Sequence, residues 1–469
     1  MIRKLFLNVK AEIRNLYKSI FIKGSFAQNF AFTFSGNAIG ILSQIIFAPV
    51  LSRIYGPEAY GLFSIFNALA TNLSIVATLR LEGALVLPKE EDEFEKVLKT
   101  VILIPTVFSL FVFVLTLISK NELEVLFNIR DAGVLMYGLG PYIFLTCFAQ
   151  ITANWVVRKK AFRDALVFGT PINVGTKIFN VIYGWFTKGA PHGLILTDVI
   201  AKLLTITVRF RYILKATPSF LVNTISWGSL KDTVKKYKQF PLYDLPGTWV
   251  NIFSTQLPIY MLTLGFGTNP VGQFGFAASL LELPIRLLGN AVSPVFLQKA
   301  SQTFHESPRD LGRITVELYK KLFYIGVVPF SILTVFGDLI FKWVFGAQWV
   351  QAGVFTGYLG FFYLFRLISS PLSSIFVIAA KQSKLFIFQT VLFAGRVLCL
   401  YVGFFIFNDI LLGVLLFSIF NFLAYFILSI WILTFVKAPV ASLTIRTIVL
   451  TTISFLIFFF LRKVMFINV

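Results

Sequence analysis

Thirteen stretches of about 20 mostly apolar residues follow one another along this chain of 469 residues. Each is long enough to cross the roughly 30 Å hydrocarbon core of a bilayer. They cover approximately residues 28–50, 58–78, 98–118, 133–153, 165–186, 193–214, 247–266, 271–292, 322–345, 352–379, 385–406, 410–434 and 447–465. Only 13% of the residues are charged, against about 25% in soluble domains. These features predict an all-α polytopic membrane protein with about 12–13 transmembrane helices, the last stretch having no clear flank on its outer side.

The distribution of basic residues predicts which ends of the helices face the cytoplasm. The net charge is +21, and in a membrane protein such an excess reflects topology before it suggests nucleic acid, which is not expected as a partner. With the N-terminus inside, the inner segments carry 30 of the 42 Lys and Arg residues and the outer ones carry 7. Residues 1–24 alternate apolar and basic positions at helical spacing, as in an amphipathic helix on the inner surface.

Two halves of the chain repeat the same pattern at an offset of 211 residues. Ser43, Gly56 and Gly61 correspond to Ser254, Gly267 and Gly272, and both glycine pairs fall in predicted outer turns. An even number of spans per repeat predicts parallel halves, related by an axis along the membrane normal. The expected organisation is a six-helix lobe over 25–214, a cytoplasmic linker over 215–246, a second six-helix lobe over 247–434 and an extra C-terminal transmembrane segment over 435–469.

Several basic residues lie within the predicted spans. A charged side chain at mid-bilayer costs roughly 2.5–3.5 kcal/mol on the insertion scale, so it should face protein or a watery cavity. The sequence therefore predicts a cationic cavity between the lobes that binds an anionic substrate group. Its expected substrate-binding residues are Lys177, Arg286, Arg366 and Arg396.

Acidic residues in the spans predict charge pairs. Asp198 precedes Lys202, and Glu282 precedes Arg286, each by four residues, which is the favoured spacing on a helix. Either each pair neutralises itself, or it responds to protons or substrate and takes part in coupling. Arg366 and the other span cations without a nearby acid have two interpretations as well, a partner on another helix or a direct role in binding.

Other chemistries find little support in the sequence. The two histidines, His192 and His305, lie far apart in polar connections, so we expect no metal site and no catalytic residues of that type. Glycine-rich nucleotide-binding patterns are absent from the sequence, and we expect no cofactor. The connections also leave little room for a catalytic domain, so the protein is predicted not to be an enzyme.

Four segments carry a family resemblance. LSRIYGPEAYGLFSIF begins at Leu51, and ATLRLEGALVLPKEEDE begins at Ala77. KYKQFPLYDLPGTWVNIFSTQLPIYML begins at Lys236, and VGQFGFAASLLELPIRLLGNAVSPVFLQKAS begins at Val271. These segments resemble the bacterial oligosaccharide-lipid flippases of the Wzx type. That family belongs, with the multidrug and toxin extrusion (MATE) transporters, to the multidrug/oligosaccharidyl-lipid/polysaccharide (MOP) exporter superfamily.

The resemblance implies a MATE-like fold in the bacterial cytoplasmic membrane. It also implies movement of an undecaprenyl-pyrophosphate-linked oligosaccharide from the inner to the outer leaflet by alternating access, for O-antigen, capsule or another surface polysaccharide. The implied partners are this substrate, membrane lipid, and a polysaccharide polymerase and chain-length regulator. Three alternatives stay open at this point: a multidrug exporter of the same fold, a membrane polysaccharide polymerase or glycosyltransferase, and a scaffold of the polysaccharide assembly complex that does not transport.

Overall fold

The computed structural model describes residues 26–126, 130–216 and 226–465, and within these ranges every regular element is helical. The predicted amphipathic segment 1–24 lies outside them. The long helices are α1 (Phe26–Ile54), α2 (Pro57–Thr78), α3 (Glu91–Ile118), α4 (Leu139–Lys159), α5 (Phe162–Phe186), α6 (His192–Ala216), α7 (Leu245–Phe266), α8 (Thr268–Glu306), α9 (Leu311–Val344), α10 (Val350–Leu372), α11 (Gln382–Tyr401), α12 (Ile410–Phe435) and α13 (Val440–Met465).

Short helices connect or extend the long ones. They are Leu81–Val86, Lys120–Leu126, Arg130–Gly138, Trp227–Lys236, Phe240–Asp244, Pro308–Asp310, Ala347–Trp349, Ser374–Ile378 and Val402–Ile406. In the described part of the linker, Trp227–Lys236 begins at a Ser226 cap, whose side chain accepts a hydrogen bond from the Ser229 N–H. This helix packs on α3. We call the end of the molecule that carries it the linker end and the opposite end the turn end.

Eleven of the long helices are long and apolar enough to cross a membrane. The last, Val440–Met465, is among them. The other two are interrupted by polar residues, namely Asp198, Lys202 and Arg209 in α6 and Asn251 and Gln256 in α7. The chain is a multi-pass membrane protein.

The two predicted lobes pack their helices in the same way. In the first lobe α1 packs on α5, α2 on α4, α3 on α4, and α6 on α4 and α5. In the second lobe α7 packs on α11, α8 on α10, α9 on α10, and α12 on α10 and α11. Each pair in one lobe thus has its counterpart six helices later. The prediction of an all-α fold with two pseudo-symmetric bundles is confirmed.

The lobes meet where α2 packs against α7 and α8. A Cβ on Gly61 would overlap the Thr268 carbonyl oxygen, and a Cβ on Gly272 would overlap the Pro57 carbonyl oxygen. Both members of this reciprocal contact are related by the 211-residue offset. Small residues let helix backbones approach closely in membranes. The repeat seen in the sequence therefore forms the point where the two halves touch at the turn end.

Two helices run well past their apolar stretches. The sequence predicts spans over 271–292 and 322–345, whereas α8 continues to Glu306 and α9 already begins at Leu311. The extra turns contain charged and polar residues, so hydropathy alone places the end of α8 too early and the start of α9 too late. The last helix, α13, packs on α9. Near the C-terminal ends of these two helices, Arg462 forms a bidentate ion pair with Asp338. The expected residue boundaries of the lobes and linker remain a prediction.

Candidate functional site

Two adjoining cavities lie on either side of the contact between α2 and α8. The N-lobe cavity, about 220 Å³, is lined by α1, α2, α5, α6 and α8. The C-lobe cavity, about 300 Å³, is lined by α2, α7, α8, α10, α11 and α12. Both share Phe63, Ser64, Gly275 and Ser279 as walls. We call the two together the central cavity.

The structure brings most of the predicted site residues to the central cavity. Lys177 and Asp198 line its N-lobe side. Glu282, Arg286, Arg366 and Arg396 line its C-lobe side. Lys202 is not among the lining residues but is paired with Asp198. Residues from five different helices therefore converge on the central cavity.

Arg366 and Glu282 form a bidentate ion pair. The two guanidinium nitrogens of Arg366 lie 2.8 and 3.0 Å from the two carboxylate oxygens of Glu282, and both side chains are 20% exposed. The expected pair between Glu282 and Arg286 is wrong. Glu282 pairs instead with Arg366 of α10, whose planar guanidinium binds both carboxylate oxygens at once.

Arg396 is buried against neutral partners. Its side chain is 1% exposed. Its Nε donates to Asn421 Oδ1, and a terminal nitrogen donates to Ser254 Oγ, each at 2.8 Å. No carboxylate among the described residues lies within 4 Å of it. A buried cation held only by neutral acceptors keeps a positive field at the wall of the C-lobe cavity, since its charge is not cancelled.

Arg286 and Lys177 are cations at the cavity walls that lack an ion pair within the described ranges. Arg286 is exposed, and Lys177 is half-buried. Near Lys177, the buried side-chain oxygen of Asn180 has no hydrogen-bond partner. Arg286 and Lys177 therefore leave hydrogen-bond donors available to a ligand on both sides of the cavity.

Asp198 and Lys202 form the predicted ion pair on α6. Tyr142 of α4 joins them: its hydroxyl bonds Asp198, and Lys202 Nζ donates to that hydroxyl at 2.8 Å. Lys202 also lies 4.0 Å from the centroid of the Tyr142 ring. The pair is thus satisfied within the N lobe, and its charge is largely neutralised where it stands.

The turn end is closed by hydrogen bonds between the lobes. Trp349 Nε1 and Gln348 Nε2 both donate to the Ser52 carbonyl oxygen, at 2.8 and 2.7 Å. Arg53 donates to the Trp343 carbonyl oxygen at 3.1 Å. Tyr60 packs edge-on against Trp349. These contacts tie the end of α1 to the connection between α9 and α10 and separate the central cavity from this end.

The lobes are also joined towards the linker end. Asn72 of α2 donates to Gln256 and, at 2.7 Å, to the Tyr260 hydroxyl of α7. Further out, Arg80 bridges Asp244 at 3.0 Å and Glu82 at 2.9 Å. The lobes are therefore in contact on both sides of the central cavity, towards the turn end and towards the linker end.

Two groups at the linker end have perturbed acidities. Burial raises the pKa of the Glu82 carboxyl despite the neighbouring Arg80 guanidinium. Its second carboxylate oxygen is buried without a hydrogen-bond partner. Burial and a hydrogen bond to the Glu93 carboxylate raise the pKa of Tyr237 to about 12. Tyr237 therefore stays neutral and holds the linker to α3.

Sequence reasoning missed the neutral partners in the membrane. Tyr142, Asn72, Gln256, Ser254 and Asn421 make the contacts that position the charges or join the lobes. Their signal was present, because amides within apolar spans are costly unless they are hydrogen-bonded. Which of them meet could not be read from spacing, since the partners lie on different helices.

Comparison with known families agrees with this arrangement. Residues 50–353 match the family described as polysaccharide biosynthesis protein. The chain belongs to this family. No curated protein is similar enough in sequence to match this member. The resemblance drawn from the sequence is confirmed at the level of the family and, as the solved structures show, of the superfamily fold.

Solved structures share the fold at low sequence identity. This chain is similar to the lipid II flippase MurJ in an inward closed conformation, with a TM-score of 0.65, 16% identity, and coverage of 94% of this chain and 99% of MurJ. It is similar to a MATE transporter of the MOP superfamily in an inward-facing conformation, with a TM-score of 0.61, 16% identity, and coverage of 90% and 97%. A MOP superfamily transporter from Pyrococcus furiosus, described as having a binding pocket of reverse polarity, has a TM-score of 0.53, 16% identity, and coverage of 87% and 95%.

Proposed function

We propose that this protein is a flippase that moves an undecaprenyl-pyrophosphate-linked oligosaccharide repeat unit from the inner to the outer leaflet of the bacterial cytoplasmic membrane. The unit would serve O-antigen, capsule or another surface polysaccharide. The observation that carries the proposal is the cationic central cavity on the seam between two lobes, in a member of a polysaccharide biosynthesis family. The N-terminus and the linker end would face the cytoplasm, as the distribution of basic residues predicts.

The charges of the cavity support an anionic substrate. Both lining acids, Asp198 and Glu282, are already paired with bases. Arg286, Lys177 and Arg396 have no carboxylate partner among the described residues, so the cavity has an excess of positive charge. A pyrophosphate would match this excess, with the forked guanidinium of Arg286 able to bind two oxygens at once. The glycan would occupy the cavity and the lipid tail would remain in the bilayer.

The contacts between the lobes at both ends support transport by alternating access. Cavities of about 220 and 300 Å³ are at or below the usual size of pockets for small ligands, which is roughly 300–1,000 Å³. An oligosaccharide would require the contacts at one end to part. Rocking of one lobe against the other around a central site is the general route in transporters built from repeats.

Two other functions make different demands. A multidrug exporter of the same fold would favour unpaired acids for organic cations, whereas the unpaired charges here are basic. A membrane polymerase or glycosyltransferase would need catalytic acids outside the cavity, and the connections between α7 and α13 are short. A polysaccharide polymerase and a chain-length regulator are instead the partners that we propose downstream.

The test is the leaflet that holds the lipid-linked oligosaccharide in cells that lack the gene. External glycosidase or lectin reports units on the outer leaflet. We expect complete units trapped on the inner leaflet and restored by the wild-type gene. The variants Arg286→Gln and Arg396→Gln should be present at normal protein levels but should restore flipping at least tenfold less well than the wild-type gene. The matched control is Arg211→Gln, which removes an exposed arginine outside the cavity.

Other outcomes would redirect the assignment. Complete units that reach the outer leaflet without polymerising would exclude flipping and indicate a polymerase. Incomplete units on the inner leaflet would indicate a glycosyltransferase. Normal units together with loss of drug resistance would indicate a multidrug exporter.

A further inference from the structure

A third cavity lies far from the central one, at the linker end of the second lobe. It has a volume of about 850 Å³ and lies between the turn that joins α8 to α9 and the turn that joins α12 to α13. We call it the basic pocket. Along α8, 18 residues separate Arg286 in the central cavity from Phe304 in the basic pocket. At 1.5 Å per residue this is about 27 Å, so one small headgroup cannot occupy both sites.

The lining of the basic pocket carries a surplus of positive charge. Arg309, Arg313, Lys320 and Lys437 all contribute to it. The lining acid, Glu317, is engaged by Lys321 at 2.6 Å. Arg313 has a partner in Asp310, at 3.5 Å. For the other three cations, no carboxylate in the described part of the chain lies within 4 Å.

The remaining lining is largely apolar. Phe304, Leu311, Val316 and Phe435 form its non-polar walls. The two turns that frame it also touch, because a Cβ on Gly312 would lie 2.8 Å from the Val436 carbonyl oxygen. The pocket therefore has a defined shape with cations beside an apolar surface, which suits an amphiphile better than a hydrated ion.

Its position along the membrane normal points to the same ligand. The apolar helix α12 ends at Phe435, and α13 begins at Val440. The connection between them lies where the hydrocarbon region gives way to water, which is the level of lipid headgroups. Basic pockets between transmembrane helices on the cytoplasmic side are suited to anionic headgroups. The basic segment 1–24 would be repelled by the same charges.

We propose that the basic pocket binds the headgroup of an anionic phospholipid. The lipid phosphate lies among Arg309, Lys320 and Lys437, and the glycerol and first acyl carbons lie against Phe304 and Phe435. Such a lipid would link the α8–α9 turn to the α12–α13 turn. It would thereby fasten α13, which is otherwise mostly exposed to the bilayer, to the second lobe.

The test measures lipid retention by the purified full-length protein. Native mass spectrometry would follow binding of cardiolipin and phosphatidylglycerol, with phosphatidylcholine as the neutral comparison. The variant is Arg309→Gln/Lys320→Gln/Lys437→Gln. Its matched control is Lys231→Gln/Lys235→Gln/Lys238→Gln, which removes three exposed lysines of the linker at the same end of the molecule. A second variant, Ala438→Phe, narrows the pocket and leaves every charge in place.

We expect the wild type and the linker variant to retain the anionic lipids over phosphatidylcholine. The pocket variant should bind them at least tenfold more weakly, since each basic residue near anionic lipid contributes several-fold, and Ala438→Phe should also weaken binding. Equal binding by the pocket variant and the wild type would overturn the proposal. So would equal losses in both triple variants, or displacement of the lipid by millimolar inorganic phosphate.

Discussion

The two arginines of the C-lobe cavity are held in different ways. Arg366 has an internal counter-ion in Glu282, whereas Arg396 is held by the neutral groups of Asn421 and Ser254. A substrate anion would have to compete with a carboxylate for Arg366 but not for Arg396. The two residues therefore have separate expected effects on stability and on binding.

The Glu282–Arg366 pair predicts a stability coupling. Glu282→Gln leaves Arg366 unpaired, and Arg366→Gln leaves Glu282 unpaired, so each change should lower the apparent Tm by a few degrees. The double variant should lose less than the sum, with a coupling of about 0.5–3 kcal/mol. Thermal unfolding in detergent measures it.

The matched control is the Glu317–Lys321 pair, which is exposed on both sides and has the same kind of charges. Its coupling should be under about 1 kcal/mol. Additive effects at Glu282 and Arg366 would mean that their contact contributes nothing to the fold.

Glu82 predicts a dependence of stability on pH. Burial raises the pKa of its carboxyl in the folded protein, above the usual value of about 4.3. Between these two pKa values the folded state binds more protons than the unfolded state. The contribution of Glu82 to the free energy of unfolding therefore falls as the pH rises from the usual pKa through the raised one. Glu82→Gln should remove this part of the pH dependence of Tm, whereas Glu306→Gln, at an exposed site, should not. Identical pH profiles for Glu82→Gln and wild type would contradict the assignment.

For single residues, the sequence predicted which charged side chains lie in the membrane but not which residues they pair with. Lys177, Arg286, Arg366 and Arg396 could be singled out because a cation within an apolar span is expensive. The i,i+4 rule was right for Asp198 with Lys202, where both lie on one helix face. It was wrong for Glu282, because a partner on another helix with better geometry is invisible to spacing along one helix.

Among the helices, α2 and α8 depend on the absence of side chains at Gly61 and Gly272. Gly61→Ala and Gly272→Ala should have nearly equal effects, because the two contacts are reciprocal. Each should cost about 1–3 kcal/mol of stability, as overpacking does, and should loosen the turn end. An impermeant thiol reagent added from the turn end should then label Ser279→Cys faster, in a protein without Cys147 and Cys399.

The control for these variants is Gly289→Ala, on the same α8, where an added Cβ meets nothing within 4 Å. It should not lower Tm, since alanine is the better helix former, and it should leave labelling unchanged. A large effect at only one of the two contact glycines would show that Gly61 and Gly272 do not contribute equally to the contact between the lobes.

The sequence was most informative where apolar length defines an element. It predicted all thirteen long helices, and their order, because spanning a bilayer sets a minimum apolar length. It was least informative for the ends of α8 and α9, whose polar turns continue in water. Helical structure outside the membrane leaves no hydropathy signal.

For the molecule as a whole, alternating access predicts that fixing the lobes together at the turn end stops transport. A Cβ on Gly275 would lie 3.2 Å from Ser64 Cβ, close to the roughly 3.5–4.5 Å typical of disulfides. Oxidised Ser64→Cys/Gly275→Cys, without the native cysteines, should lose flipping and regain it on reduction. The single variants should be insensitive to oxidant. Continued flipping in the fully cross-linked protein would rule out separation of the lobes at this end.

Two-lobed symmetry was the largest feature predicted from the sequence, through glycines repeated at an offset of 211. The contacts between the lobes at the turn end could not be predicted, because they include hydrogen bonds such as Trp349 to the Ser52 carbonyl, between residues nearly 300 positions apart. Nothing in local pattern or composition selects such partners.

The reciprocal glycine contact has a mechanical consequence. Because backbone touches backbone at Gly61 and Gly272, this contact can serve as a pivot about which the lobes tilt, with no side chain to repack at the two glycines themselves. Arg286 lies 14 residues along α8 from Gly272, a lever arm of about 21 Å. A tilt of about 20° about this pivot would therefore move Arg286 by roughly 7 Å while the Gly61–Gly272 contact stays in place. Opening of the central cavity towards the linker end would need only a small rotation of the lobes. Opening towards the turn end would require the Gly61–Gly272 contact to separate.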